Sequence, residues 1–123
     1  MILGIGTDII EVDHVRKAIT QKGFKQKVYS EREIEYCDKD EKGERYAARY
    51  AAKEAFSKAM GTGWADNVEI PSVEILNDQK GKPYIVLSGK ALDLFKAIGG
   101  INIQVSISHI KETAIAFVII ESK

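Results

Sequence analysis

The segment from Arg45 to Gly63, RYAARYAAKEAFSKAMGTG, holds the residues of this sequence that are best suited to chemistry. Its alanines and regularly spaced bulky residues predict one long helix. Glu54, Ser57 and Lys58 are spaced i, i+3 and i+4, so they lie on one face of that helix. A carboxylate beside a hydroxyl and an ammonium group is suited to holding a phosphate ester together with a divalent cation.

A second acidic candidate, Asp8, lies late in a predicted strand with the sequence GIGTDII. A carboxylate buried in an apolar strand is costly unless it is paired or bound to a cation. Asp8 and Glu54 together offer two hard oxygen ligands, which favour Mg²⁺, an ion that keeps several waters and takes further ligands from phosphates. The alternatives are that Asp8 is exposed or caps the next helix, and that Glu54 forms an ion pair with Lys58.

Three cationic side chains of the long helix could contact a phosphate. Lys58 is the natural partner, because it lies one turn from the acid. Arg49 and Lys53 extend the basic side of the helix, although single basic residues are more often solvated. Gly61 and Gly63 follow the helix, and their backbone N–H groups either approach a ligand or simply end the helix. The segment is not a P-loop, because the GxxxxGK[ST] spacing is absent.

His109 ends the predicted strand NIQVSISH, at the rim of a sheet, where it could donate a hydrogen bond to a phosphate. Ser106 and Ser108 occupy alternate positions of that strand, so they face away from its apolar residues. A serine and a histidine that are adjacent in a strand point apart, which argues against a Ser–His nucleophile pair.

The hydrophobic pattern predicts an α+β fold in which a small antiparallel sheet packs on a long central helix. Ser30 followed by Glu33 is a capping box that begins a second helix. The predicted strands cover 2–10, 72–76, 83–87, 102–109 and 113–120, and the predicted helices cover 11–22, 30–38, 45–60 and 88–98.

Size and composition narrow the class of protein further. A chain of 123 residues fits a single domain, 1–123. It has 18 Lys and Arg against 18 Asp and Glu, which argues against a general nucleic-acid binder. The single cysteine, Cys37, excludes an internal disulfide and suits a reducing cytoplasm. No apolar run approaches the roughly 20 residues that span a membrane, and the N-terminus lacks the pattern of a signal peptide.

Three blocks of the sequence resemble holo-acyl-carrier-protein synthase, the short class of 4′-phosphopantetheinyl transferases. They are GIGTDIIEVDHV at 4–15, the long-helix segment at 45–63, and VSISHIKETAIAFVI at 105–119. Their order and spacing agree with that family over essentially the whole chain. The helix motif AAKEAFSKAxGTG is highly specific, whereas the strand motif alone would not be.

The resemblance implies transfer of 4′-phosphopantetheine from coenzyme A to a serine of apo-acyl carrier protein, in support of fatty acid biosynthesis. Adenosine 3′,5′-bisphosphate is the by-product. By family matching, Asp8 and Glu54 hold Mg²⁺ against the diphosphate, and Glu54 is the candidate base for the serine proton, directly or through a water. The family also implies a homotrimer with active sites at subunit interfaces. Expected coenzyme A contacts are Arg49, Lys53, Ser57, Lys58, Gly61, Gly63 and His109.

The first helix should contact the acidic carrier protein through His14, Arg16 and Lys17, since its exposed face is basic. The sequence departs from the family pattern in this helix, because His14 occupies a position where arginine is common. Three other positions also depart from the family pattern: Ile110 replaces a common threonine, and Tyr46 and Tyr50 replace phenylalanine or leucine.

Two rival functions share some of these features. Another Mg²⁺-dependent enzyme acting on a nucleotide diphosphate would have the same acid pair and Lys58 but no carrier-protein surface. A non-catalytic oligomeric binding module would tolerate replacement of Asp8 and Glu54. The broad-specificity transferase class resembles two such domains in one chain, so the length of 123 residues argues against it.

Overall fold

A computed structural model describes residues 1–64 and 67–123 and shows the predicted α+β architecture. A short 3₁₀ helix, Ile70–Ser72, precedes the second strand. The strands are β1 (Ile2–Glu11), β2 (Val73–Asn77), β3 (Pro83–Leu87), β4 (Asn102–His109) and β5 (Thr113–Glu121). The α-helices are α1 (Val12–Ala18), α2 (Phe24–Val28), α3 (Glu31–Cys37), α4 (Glu44–Met60) and α5 (Gly89–Ala97).

The strands form two antiparallel sheets. One has three strands in the order β1-β5-β4, and the other is the β2-β3 hairpin. In β4 and β5 the side chains alternate between a buried inner face and an outer face. Ser106 and Ser108 lie on the outer face, on the opposite side from Ile107 and His109, as the alternation predicts. The predicted hairpin of β2 and β3 is confirmed.

The core surrounds α4 on two sides. One apolar cluster joins α4 to both sheets and α5, and includes Phe56, Val73 and Val118. The second cluster joins the start of α4 to α1, α2 and α3, and includes Val15 and Tyr46. Helix α4 therefore lies between two apolar layers, which explains why so many of its residues are alanine.

The predicted helix over 11–22 is shorter in the structure. Helix α1 ends at Ala18, because Thr20 turns its hydroxyl and its backbone N–H onto the carbonyl of Lys17. Gly23 then adopts a left-handed conformation with φ 86° and begins α2, which the sequence did not predict. Phe24 and Val28 of α2 both pack in the second cluster, so this single turn of helix is held by tertiary contacts.

Tyr46, where phenylalanine or leucine was expected, carries a hydroxyl into a buried position. The hydroxyl donates to the Asp38 carboxylate, and the backbone carbonyl of Tyr46 accepts a hydrogen bond from the Tyr29 hydroxyl at 2.9 Å. Burial, followed by the hydrogen bond to Asp38, raises the pKa of Tyr46, so the phenol stays neutral. The substitution is tolerated because the added oxygen has a partner.

Strand β1 approaches α4 more closely than any side chain would permit. A Cβ added to Gly4 would lie 2.0 Å from the carbonyl oxygen of Ala59, and one added to Gly6 would lie 2.0 Å from that of Ala55. Asp8 is the next residue on this same face of β1. The two glycines therefore set the distance between the strand that carries Asp8 and the helix that carries the other candidate residues.

We expect Gly6→Ala to lower the free energy of unfolding by about 2–3 kcal/mol, because the backbone of β1 must move away from α4. Urea denaturation measures the loss. Gly23→Asn is the matched control, since nothing lies within 4 Å of an added Cβ there and asparagine tolerates the left-handed conformation. The control should change stability by less than about 1 kcal/mol, and an equal loss in both variants would contradict the close-approach explanation.

Candidate active site

Asp8 and Lys58 form an ion pair between β1 and α4. The ammonium group of Lys58 lies 3.0 Å from Asp8 Oδ1 and also donates to the carbonyl of Thr7 at 3.0 Å. The Lys58 side chain is 54% exposed and that of Asp8 is 16% exposed, so the cation reaches solvent while the carboxylate is sheltered. Lys58 thus pairs across the fold with Asp8, rather than along the helix with Glu54.

Glu54 accepts a hydrogen bond from the indole of Trp64, with 3.1 Å between Nε1 and Oε1. Tyr50 lies close to both acids. Burial raises the pKa of Tyr50, and the negative charges of Glu54 and Asp8 raise this pKa further. Lys58, which bonds Asp8, lies one helical turn after Glu54 on the same face of α4, so the two acids lie on the same side of the contact between β1 and α4.

The pair of acids has the donor chemistry of a magnesium site. Across the described ranges, 1–64 and 67–123, no cluster of three or more His, Cys, Asp or Glu side chains could hold a metal by itself. Two carboxylates suit Mg²⁺, which completes its coordination with waters and substrate phosphates, better than they suit a metal that needs an all-protein cage. In the same ranges Asp8 Oδ2 and Glu54 Oε2 accept no hydrogen bond, so one oxygen of each acid is available.

Three other residues that were predicted to contact phosphate donate to carbonyls at the end of α4 instead. Ser57 is buried, and its hydroxyl donates to the carbonyl of Glu54 at 2.7 Å. The N–H of Gly61 donates to the carbonyl of Lys58, and the N–H of Gly63 donates to that of Ser57. The GTG segment ends the helix, and these three residues do not present free donors to a ligand in this conformation.

Lys53 differs most from its predicted role, because its side chain is completely buried. The ammonium group donates to Glu33 Oε1 at 2.7 Å, to the carbonyl of Val73 at 2.6 Å and to that of Ile70 at 3.2 Å. Burial lowers the pKa of Lys53, whereas the Glu33 charge opposes that shift. All three donors are occupied, so this lysine joins α3, α4 and β2 rather than facing a ligand.

Arg49 and His109 line a cavity of about 250 Å³ beneath the end of β4. Arg49 is 4% exposed and donates to the side chain of Asn77, and its Nε has no hydrogen-bond partner in the part of the chain that the structure describes. Arg45 lines the same cavity, and both guanidinium groups lie 4.2 Å from the centre of the Tyr36 ring. The cavity therefore combines positive charge with an unsatisfied buried donor, which favours an anionic ligand.

Arg45 was not among the predicted site residues. Its i, i+4 spacing from Arg49 puts the two arginines on one helix face and could have indicated a shared anion site. His109 is held near this cavity by Glu44, whose carboxylate oxygen lies 3.6 Å from Nδ1.

The two groups of candidate residues lie at opposite edges of the three-stranded sheet. Asp8 pairs with Ala116 of β5, while His109 pairs with Ala114 from the other side of β5. Two strand spacings separate the edges by roughly 10 Å. Within one chain the structure brings Asp8, Glu54 and Lys58 together at the β1 edge, and Arg49 with His109 towards the β4 edge.

The predicted docking residues on α1 are in different environments. Arg16 is engaged, since its guanidinium donates to the carbonyl of Lys42 at 2.9 Å and to the side chain of Asp13. His14 and Lys17 are exposed, with His14 Nε2 lying 3.6 Å from a carboxylate oxygen of Glu11.

Among the described residues, no helix combines the length and apolar character that crossing a bilayer requires.

Comparison with known proteins identifies the family. The family model described as the 4′-phosphopantetheinyl transferase superfamily matches residues 4–118. The holo-[acyl-carrier-protein] synthase of Ruminiclostridium cellulolyticum is 48% identical over 120 residues, which cover 94% of this chain and 90% of that protein.

Solved structures agree with the sequence comparison. A holo-(acyl-carrier-protein) synthase from Bacillus anthracis, in complex with CoA (3′,5′-ADP), superposes with a TM-score of 0.83 and 37% identity, covering 100% of this chain and 99% of that one. The Neisseria meningitidis holo-[acyl-carrier-protein] synthase gives a TM-score of 0.89 with 31% identity, covering 99% and 100%. The chain belongs to the 4′-phosphopantetheinyl transferase superfamily and, within it, to the holo-[acyl-carrier-protein] synthase family of enzymes. The predicted family and fold class are confirmed.

Proposed function

We propose that this enzyme transfers 4′-phosphopantetheine from coenzyme A to a serine of apo-acyl carrier protein, in a Mg²⁺-dependent reaction that supports fatty acid biosynthesis in the cytoplasm. The products are holo-acyl carrier protein and adenosine 3′,5′-bisphosphate. The ion pair between Asp8 and Lys58, one helical turn from Glu54, in a chain of this family, is the observation that carries the proposal.

The reaction exchanges the phosphoanhydride bond of coenzyme A for a phosphoester bond to the carrier protein. The acceptor serine oxygen forms a bond to the phosphorus nearest the pantetheine, and the bond from that phosphorus to the bridging diphosphate oxygen breaks. The serine proton passes to Glu54, directly or through a water, because this carboxylate has an oxygen that accepts no hydrogen bond among the described residues. When bound by Asp8 and Glu54, Mg²⁺ supplies charge neutralisation for the diphosphate and the leaving bisphosphate.

Lys58 is suited to bind the diphosphate directly. Its ammonium group is a point charge on a flexible, half-exposed side chain, so it can turn towards a phosphate while remaining beside Asp8. Two of its three donors are used in the structure, one on Asp8 and one on the Thr7 carbonyl. The third donor supports a role for Lys58 in binding the transferred phosphoryl group.

The arginine cavity is the proposed site for the nucleotide part of coenzyme A. Arg49 has an unpartnered buried Nε, and Arg45 and His109 add further donors. A phosphate of the nucleotide would satisfy these donors through charge-assisted hydrogen bonds. Lys53 and Ser57 are left out of this proposed binding site, because their polar groups are already paired inside the protein.

We propose that three copies of the chain assemble so that each active site combines two of them. The outer face of the β1-β5-β4 sheet carries a row of exposed large apolar residues: Ile5 and Ile9 from β1, and Ile115 and Phe117 from β5. A contiguous apolar face of this kind favours protein–protein contact. Asp8 and the Arg49–His109 pair lie at opposite edges of this sheet, so a composite site requires the β4 edge of one copy to meet the β1 edge of the next.

Helix α1 is the proposed docking surface for the acidic carrier protein. Lys17 and His14 are the exposed basic candidates there, since Arg16 is held by Lys42 and Asp13. Complementary charge of this kind raises the association rate and weakens with salt.

Incubation with coenzyme A, Mg²⁺ and apo-acyl carrier protein should increase the mass of the carrier by one phosphopantetheine group, as measured by mass spectrometry. Chelation of the metal should stop the reaction, and Glu54→Gln should slow it by roughly 10²–10⁴-fold. The exposed Glu41→Gln is the matched control and should retain wild-type turnover. A nucleotide-diphosphate enzyme or a binding module would leave the carrier mass unchanged, which would contradict the proposal.

Lys17→Glu should raise the KM for carrier protein several-fold while leaving the KM for coenzyme A nearly unchanged, because reversed charge on α1 repels an acidic partner. Steady-state kinetics at two salt concentrations measure both constants. Lys90→Glu on α5 is the control for a change in net charge, since Lys90 is also exposed. Equal effects of the two variants on carrier KM would count against docking on α1.

A further inference from the structure

The chain reverses direction immediately after α4 and returns along the helix. Gly61 and Gly63 both have positive φ, 82° and 63°, which side chains rarely adopt. Their N–H groups close onto the carbonyls of Lys58 and Ser57. The reversal places Trp64 beside Glu54, ten residues earlier in the chain, and so gives the GTG segment a role beyond ending the helix.

Packing holds the Trp64 ring in place. The indole lines a narrow apolar slot together with Phe56, Met60, Val68 and Leu94, and it packs against the first core cluster. The contacts of this half-buried ring with the core cluster restrict its rotation. The single polar atom of this ring, Nε1, is therefore fixed in the position from which it donates to Glu54 Oε1 at 3.1 Å.

A fixed donor to one oxygen determines how the Glu54 carboxylate is presented. The terminal torsion of a glutamate has a broad energy minimum, so an unsupported carboxylate samples many orientations. The indole N–H is only a donor and cannot bind a cation itself, so it orients the carboxylate without competing for the metal. Hydrogen bonds of this kind to metal ligands typically change metal affinity by 10–100-fold.

We propose that Trp64 is a positioning residue that holds Glu54 with its second oxygen directed to the divalent cation. This inference rests on the proposed function, since it assumes that Glu54 binds Mg²⁺ in the complex with coenzyme A. Within the described residues, Trp64 is the side chain that donates to this carboxylate, because Lys58 pairs with Asp8.

Trp64 is the only tryptophan of the chain, so its indole N–H gives one NMR signal in ¹⁵N-labelled protein. In the metal-free protein this signal should lie downfield and should move strongly upfield in Glu54→Gln, whose neutral amide is a weaker acceptor. Glu41→Gln should leave the signal in place. An indole signal that does not respond to Glu54→Gln would overturn the inference, whatever the enzyme does with metal.

Metal affinity gives the second measurement. Mn²⁺ binding at saturating coenzyme A should weaken by roughly 10–100-fold in Trp64→Phe, and equally when Trp64 is replaced by benzothienylalanine, in which sulfur replaces the N–H. Val68→Ala loosens the same slot but keeps the N–H, so it should change the affinity far less. Thermal denaturation of each variant reports whether the fold is retained.

The outcomes separate the two proposals. If the benzothienylalanine variant binds Mn²⁺ as tightly as the wild type, the positioning role is overturned. This holds even if Trp64→Phe binds Mn²⁺ more weakly, because ring packing alone would then explain that loss. Wild-type protein that binds coenzyme A without any metal dependence would contradict the proposed function and this inference together. Metal-dependent binding in the wild type that is unchanged in both Trp64 variants would contradict the inference alone.

Discussion

The close backbone contact between β1 and α4 is the constraint on which the rest of the site depends. Glycine at positions 4 and 6 lets the strand lie against the carbonyls of Ala59 and Ala55, at a separation that an added methyl group would prevent. The same face of the strand then carries Asp8 to the helix, within hydrogen-bond distance of Lys58. The distance between Asp8 and Lys58 therefore depends on glycine at positions 4 and 6.

A buried ion pair between Glu33 of α3 and Lys53 of α4 also fixes the position of α4. Glu33 and Lys53 are both fully buried, and Glu33 also accepts hydrogen bonds from the backbone of Ser30 and Ile75. Burying two charges is costly, and such a pair is tolerated when every donor and acceptor is satisfied, as it is here. Because Lys53 is bonded into the core, Glu54, the next residue of α4, lies about 100° further around the helix and away from that buried pair.

The sequence predicted those features that depend on local pattern. The length of α4, the capping box at Ser30 and the alternation of β4 all follow from residue spacing within a few positions. It missed features that depend on distant contacts: helix α2 is too short to have a period, and the burial of Lys53 requires carbonyls from residues 70 and 73. The hydrogen bond from Trp64 to Glu54 could not be predicted from local pattern either, because it requires the left-handed conformations of Gly61 and Gly63 between them.

The proposed composite active site takes the β1 edge of the sheet from one copy of the chain and the β4 edge from a neighbouring copy. Mixing two inactive variants, Glu54→Gln and Arg49→Met, in refolded trimers tests it most directly, with His109→Ala as a second partner for Glu54→Gln. Random assembly should restore about one site in four, because each restored site takes Glu54 from one copy and Arg49 or His109 from the next. Activity that never exceeds the sum of the separate variants would contradict the claim.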